Sequence, residues 1–314
     1  MKFIFFLSSI YLCFFNLCAE NIPNFLEKKS FEALKESSFP LVTIAFHYNK
    51  KRLCYLEKVL KSLSTFPKIE IVIITNTCSA RKLLEIEECH VKAFANRTKN
   101  QKVSTRSFYL LDHPYDLTWC HKEMIPEEFI DNTKGYTHFI YLEDDIALDF
   151  NNFCYFVHFR EILKDKGVLP SFLRVEVNKK GEFVNTDNEV SMNVANIPHI
   201  PYKEWLFVNT VNTYMACYVL DMDLAKEYVQ SRAFDKNLSL VNDSRIRELS
   251  AMGLMQENVP TSFSSRYVVP VDLKSLNCPK YAWIYHLPNN YADDPLTRFG
   301  KISMESLFYL SDQS

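Results

Sequence analysis

A continuous apolar run of strand length, Leu41-Val-Thr-Ile-Ala-Phe46, is followed by a segment from Lys51 to Leu63 in which Leu53, Leu56, Val59, Leu60 and Leu63 recur at helical spacing. The pattern then repeats: Ile69-Glu-Ile-Val-Ile-Ile-Thr75 reads as a second strand, and Ser79 to Glu88 as a helix with Ser79 at its N-cap. Strands that are apolar throughout, rather than alternating, belong to a parallel sheet covered on both faces. This order predicts an α/β fold, a Rossmann-type mixed sheet flanked by helices.

Further on, Ser107-Phe-Tyr-Leu-Leu111 reads as a third strand, Leu117 to Phe129 as a helix, and Tyr136 to Leu142 as a central strand running straight into Glu143-Asp144-Asp145. Helix is expected over Phe150 to Lys164 and strand over Ser171 to Val177. A long β-rich stretch follows from Glu204 to Leu220, then helices over Leu224 to Ser231 and Leu240 to Gly253. The expected organisation is therefore a ligand-binding half over 41–146 and a β-rich half with a C-terminal tail over 147–314, preceded by a short stem or peripheral helix over 20–40.

Residues 1–19 begin with one Lys, run apolar from Phe3 to Leu17 and end in small residues, the build of a secretory signal peptide or an uncleaved N-terminal membrane anchor. Either places the body in the secretory-pathway lumen (endoplasmic reticulum or Golgi), or in an exported or periplasmic location, with membrane contact only through that segment. Seven cysteines remain after it, Cys54, Cys78, Cys89, Cys120, Cys154, Cys217 and Cys278, enough for up to three disulfides of unreadable connectivity. Asn-x-Ser/Thr sites at Asn96, Asn237 and Asn242 are no more numerous than chance provides. With 36 Lys+Arg against 38 Asp+Glu, the net charge of −2 excludes an electrostatically driven nucleic-acid binder.

The acidic strand end carries the most chemistry. Residues i and i+2 of a strand share a face, so Glu143 and Asp145 are expected to converge while Asp144 faces away. In an α/β sheet, ligands bind beyond the carboxyl ends of the strands. Like charges this close repel unless a cation lies among them, and Mg²⁺ or Mn²⁺ suits one or two carboxylates completed by phosphate oxygens and water. The plainer alternative is a solvated turn or an N-cap for the next helix.

Tyr-Leu-Glu143-Asp144-Asp145, set in this element order from Leu41 to about His286, resembles the GT-A class of nucleotide-sugar-dependent glycosyltransferases and their D-x-D signature, with Glu in the first acidic place. Exostosin-like enzymes are one candidate relative within that class. The resemblance implies Mn²⁺ or Mg²⁺ held by Asp145, with help from Glu143 or Asp144, under the diphosphate of the donor. It places Glu143 at the ribose or the metal's water shell, and makes His286, in Ile284-Tyr-His-Leu287, a further ligand; a lone structural histidine is the alternative. It also implies that the first strand's end cradles the nucleotide, with Tyr48 stacking on a base and Arg52 reaching a phosphate; a helix start with solvated charges reads equally well. Asn76 and Arg106 are further donor-side candidates.

For the acceptor, Trp205, Asn212 and Tyr214 combine aromatic faces with an amide, as sugar sites do, although plain sheet packing would use the same residues. Asp243 and Glu248 are the candidate general bases of an inverting reaction, unless Arg245 and Arg247 simply pair with them on a solvated helix face. The expected function is a metal-dependent glycosyltransferase, moving a hexosyl or N-acetylhexosaminyl group from a nucleotide-sugar donor to an exported or lumenal glycan, glycolipid or glycoprotein acceptor. The alternatives are an exported non-catalytic carbohydrate-binding protein of the same fold and a nucleotidyltransferase.

Overall fold

The computed structural model describes residues 22–311 apart from 97, 132, 213 and 240–244. The leader expected over 1–19 and the candidate base Asp243 lie outside the described residues. Helix α1 (Lys28–Ser37) leads into β1 (Pro40–Phe46), which is buried along its whole length. After a 3-10 turn at Lys50–Arg52, α2 (Leu53–Leu63) buries Leu56, Val59, Leu60 and Leu63, the stripe its spacing predicts. Each such side chain contributes roughly 1.5–3 kcal/mol on leaving water. β2 (Ile69–Thr75), α3 (Ala80–Ala93) and β3 (Gln101–Ser107) complete the first run, and α3 turns Ile86, Cys89 and Ala93 inward.

β3 lies earlier than the expected Ser107–Leu111. Its polar sequence suits a sheet edge, where only alternate residues are covered, and its register is set by full parallel pairing with β2, from Ile69 with Gln101 to Thr75 with Ser107. Phe108 closes the ladder through its N–H to the Thr75 carbonyl, and Leu110 is left exposed. The helix expected over Leu117 to Phe129 is instead a 3-10 helix, Pro114–Glu123, and one π-helical stretch, Ile125–Ile130. Pro126 brings no N–H to an α-helical ladder there.

β4 (His138–Glu143) and the two-residue β5 (Ile146–Ala147) flank the acidic tripeptide. Beyond them come α4 (Phe150–Leu163), β6 (Leu169–Pro170), β7 (Leu173–Val177), β8 (Phe183–Asn185), β9 (Met192–Asn193), β10 (His199–Tyr202), β11 (Trp205–Val208) and β12 (Cys217–Leu220). The last part holds α5 (Met222–Gln230), α6 (Lys236–Ser239), α7 (Ile246–Ser250), β13 (Tyr267–Asp272), β14 (Trp283–His286), β15 (Ile302–Ser303) and β16 (Phe308–Tyr309). The β-rich stretch expected over Glu204 to Leu220 is thus two short strands, and they join different sheets. The helix expected from Leu240 to Gly253 is, within the described residues, the single short α7.

The central sheet has the order β12-β4-β1-β2-β3, with β1 to β4 parallel and β12 antiparallel on β4. A second sheet runs β15-β8-β7-β14-β5, a third β10-β11-β13-β6, and β16 pairs with β9. This is the mixed α/β sheet flanked by helices that the apolar runs predict. β12, from the C-terminal half, completes the sheet of the N-terminal half, so the two halves interlock. All seven described cysteines carry free thiols, only Cys54 and Cys78 exposed, and none of the pairings left open by the sequence is made. Among the described residues no helix is long and apolar enough to cross a membrane.

Candidate functional site

The tripeptide Glu143-Asp144-Asp145 sits where one sheet hands the chain to the next. β4 ends at Glu143, whose N–H donates to the Ala216 carbonyl, and Ile146 already pairs with His286 in the second sheet. Asp144 and Asp145 form the turn between. All three carboxylates are buried, at 7%, 5% and 6% exposure. They are therefore not a solvated turn.

The expected convergence of Glu143 with Asp145 is corrected, because strand alternation stops at Glu143. Asp144 and Asp145 instead meet on Arg52: its Nε donates to Asp144 Oδ2 at 2.8 Å, and its Nη2 to Asp144 Oδ1 at 2.5 Å and Asp145 Oδ2 at 2.7 Å. Arg52 is delivered by the turn after β1, which Asn49 caps through its side chain. Glu143 looks elsewhere, accepting from the Tyr214 hydroxyl at 2.9 Å with Arg247 Nε at 4.0 Å. Tyr214 is held by Arg174, whose guanidinium stacks 4.9 Å from its ring and forms a buried pair with Asp187.

Burial dominates the electrostatics. It pushes Glu143 up to about 7, with Asp145 adding to the rise and Arg247 and Tyr214 opposing it. Burial likewise pushes Asp144 up to about 6, against the hydrogen bonds from Arg52. Burial thus disfavours the charged form of both carboxylates, and the neighbouring guanidinium groups oppose it.

His286, at the end of β14, approaches from the second sheet. Its Nε2 lies 3.9 Å from Asp145 Oδ2, and its Nδ1 lies 2.6 Å from Oε1 of the buried Glu176. A separation of 3.9 Å is too long for a hydrogen bond and within the span, at most about 4 Å, of two atoms sharing one small divalent ion. Among the described residues no three His, Cys, Asp or Glu side chains gather into a full cage. A carboxylate and a carboxylate-backed imidazole nevertheless fit a Mg²⁺ or Mn²⁺ that takes its other ligands from phosphate and water.

The other sequence candidates are placed apart from this cluster or around its rim. Tyr48 donates its hydroxyl to Glu85 at 2.5 Å, and Lys82 covers its ring at 4.9 Å. The Tyr48 N–H donates to Asn76 Oδ1 at 2.8 Å, so the pair ties the ends of β1 and β2 together. Arg106 lies within β3 and pairs with Glu128 at 2.6 Å. Trp205 is 7% exposed and packs edge-on against Tyr281, offering no open face to a sugar ring. Asn212 donates to the Asp187 carbonyl at 3.1 Å, behind Tyr214. Glu248 pairs with Arg247 at 3.3 Å and so borders the Glu143 side of the site. Tyr115, 47% exposed, stands beside Arg247 at 5.9 Å on the same rim.

Sequence reasoning missed Arg174, Glu176 and Asp187. One signal was available: in Leu173-Arg-Val-Glu-Val177 the charges fall at i and i+2 of a strand otherwise apolar, and both are buried. Buried charges on one strand face must be paired, which marks them as members of a polar site.

No family model matches the chain, and no curated protein matches it. Among solved structures it is similar to the apo form of WbbM, described as a bifunctional glycosyltransferase, at 10% identity and a TM-score of 0.34. The likeness covers 69% of this chain and 38% of that one, so the chain spans well under half that protein's length.

Proposed function

We propose that this protein is a divalent-cation-dependent glycosyltransferase, moving a hexosyl or N-acetylhexosaminyl group from a nucleoside diphosphate sugar to a glycan, glycolipid or glycoprotein acceptor in an exported or lumenal compartment. The observation that carries the reading is Asp145, buried at the carboxyl end of the central parallel sheet and facing the Nε2 of His286 across 3.9 Å. Ligands of α/β sheets sit at that edge, and a donor diphosphate there needs a positive counter-charge.

Asp145 and His286 would hold Mn²⁺ or Mg²⁺, which supplies neutralisation of the charge developing on the leaving diphosphate. Arg52 neutralises Asp144 and holds the acidic turn in shape. Tyr214 and Arg247 orient Glu143, which would reach the donor's ribose or the metal's water shell. Glu248, joined to Arg247, would take a proton from an acceptor hydroxyl, with Asp243 as its partner or substitute.

The test is donor hydrolysis and transfer. The purified full chain with Mn²⁺ and a panel of nucleotide sugars should release nucleoside diphosphate, and Asp145→Ala should abolish the release. No release from any donor, or undiminished release by the variant, overturns the reading and leaves a binding protein of the same fold.

A further inference from the structure

Glu176 is 1% exposed, a position that glutamate occupies only when fully partnered. Its carboxylate accepts three backbone hydrogen bonds and touches one imidazole nitrogen. Oε1 receives the Asn290 N–H at 3.1 Å and lies 2.6 Å from His286 Nδ1; Oε2 receives the N–H groups of Tyr291 and Ala292 at 2.9 and 2.7 Å. Both oxygens thus already face backbone donors, an arrangement that favours Glu176 as the acceptor and Nδ1 of His286 as the donor in that short contact. A neutral ring with its hydrogen on Nδ1 carries its lone pair on Nε2, and it is this atom that faces Asp145.

The ring is fixed from every side. β7 and β14 run parallel in a register ending at Val175 with Tyr285, which brings Glu176 alongside His286. Tyr291 stacks on the imidazole at 5.3 Å and 26°. The loop that supplies Tyr291 is tied through its N–H groups by Glu176 and through its carbonyls by Lys301, whose Nζ donates to Tyr291, Ala292 and Asp294 at 3.0, 3.3 and 2.7 Å. Gly300 closes against the same loop at positive φ, where a Cβ would come within 2.8 Å of the Ala292 nitrogen.

We propose that Glu176 is a positioning residue: it locks His286 in the Nδ1–H tautomer and so presents Nε2, opposite Asp145, to a divalent cation. This rests on the cation reading given above, but its first prediction does not need the cation. Carboxylates behind a ligating imidazole commonly set metal affinity by 10- to 100-fold. A glutamine at this position would turn an amide N–H₂ toward Nδ1, make Nδ1 the acceptor and move the hydrogen to Nε2.

The experiment is long-range ¹H–¹⁵N NMR of the histidine rings in the cation-free full chain, with His286 assigned by its loss in His286→Asn, alongside Mn²⁺ titration followed by water-proton relaxation. The wild type should show a protonated Nδ1 and a bare Nε2. Glu176→Gln should reverse the two and weaken Mn²⁺ binding by about 10- to 100-fold. A wild-type Nε2 that carries the hydrogen overturns the proposal with no variant needed, which covers the case of a variant that does not fold. An unchanged tautomer or unchanged Mn²⁺ affinity in a folded Glu176→Gln protein overturns the role of Glu176 alone. A wild type with the expected tautomer and no Mn²⁺ binding overturns the cation reading, and the seat with it.

Discussion

The guanidinium of Arg52 and the carboxylate of Asp144 form a two-point pair, Nε to Oδ2 at 2.8 Å and Nη2 to Oδ1 at 2.5 Å, and the same Nη2 reaches Asp145. The Asp144 and Asp145 side chains are 7% and 9% exposed, and Arg52 is their main counter-charge. Breaking a buried pair from one side leaves an uncompensated charge. Arg52→Ala should therefore lose on the order of 3 kcal/mol of unfolding free energy in urea at neutral pH. Mn²⁺ should stabilise that variant more than it stabilises the wild type, because the cation then supplies the missing positive charge.

Acid should destabilise the protein through His121. This ring is fully buried, stacks on Tyr141 at 3.9 Å, and is hydrogen bonded to the Thr118 carbonyl and the Tyr218 hydroxyl. Burial, with Lys122 adding to it, holds the imidazole well below its ordinary 6.5. The unfolded chain then binds a proton that the folded chain refuses, so this stability is present above pH 6.5 and falls as pH drops below it. Glu143, raised to about 7, acts in the opposite sense: its contribution is present below about 4.5 and is lost as pH rises through 7. Urea unfolding of wild type and His121→Gln from pH 8 to pH 5 separates the two. The gap between the proteins should narrow on the acid side; a gap independent of pH refutes the assignment.

The thiols give a chemical check on the fold. Cys54 and Cys78 are exposed, while burial pushes Cys89 up to about 11 and Cys120 up to about 12, and Cys154, Cys217 and Cys278 higher still. Differential alkylation of the native protein, read by peptide mass, should label Cys54 and Cys78 quickly and leave Cys120, Cys154, Cys217 and Cys278 unlabelled until denaturant is added. Unlabelled residues that stay unreactive in denaturant without reductant would reveal disulfides.

Gly253 marks a tight point of the core. It adopts φ +54°, and a Cβ there would lie 2.9 Å from the ring of the buried Tyr218. Gly253→Ala combines left-handed strain with overpacking and should cost about 2–4 kcal/mol, visible as a lowered urea midpoint with an unchanged m-value.

Much of the architecture was legible because β1, β2 and β4 are largely apolar, and runs of that kind have few other solutions. The place of Glu143-Asp144-Asp145 at the carboxyl end of the sheet followed from their standing at the end of such a run. Its internal pairing was not legible: one turn residue decides whether Asp144 or Glu143 faces Asp145, and no local propensity encodes that. β3 was displaced because an edge strand made of Gln, Lys, Ser, Thr and Arg carries almost no hydrophobic signal. Trp205 attracted attention by residue type, yet its ring is spent on packing. Arg52 read equally well as a phosphate contact or as a solvated charge at a helix start, and the structure pairs it with the carboxylates of Asp144 and Asp145. Glu176 was invisible because its significance lies in three backbone donors of a loop more than a hundred residues away, and in a histidine on the neighbouring strand, as Ala292 and His286 illustrate.

The turn at Asp144 and Asp145 joins two sheets that are separately hydrogen bonded, and the residues around it belong to one or the other. His286 pairs with Ile146 and the Leu287 N–H donates to the Asp145 carbonyl, so Asp145, His286 and Glu176 ride on the same sheet, whereas Arg52 and Glu143 ride on its neighbour. A small rotation of one slab against the other would leave the Asp145–His286 spacing intact while drawing Asp145 away from Arg52. The proposed cation seat would thereby be stiff and its charge compensation adjustable, a division of labour set by which backbone each side chain hangs from.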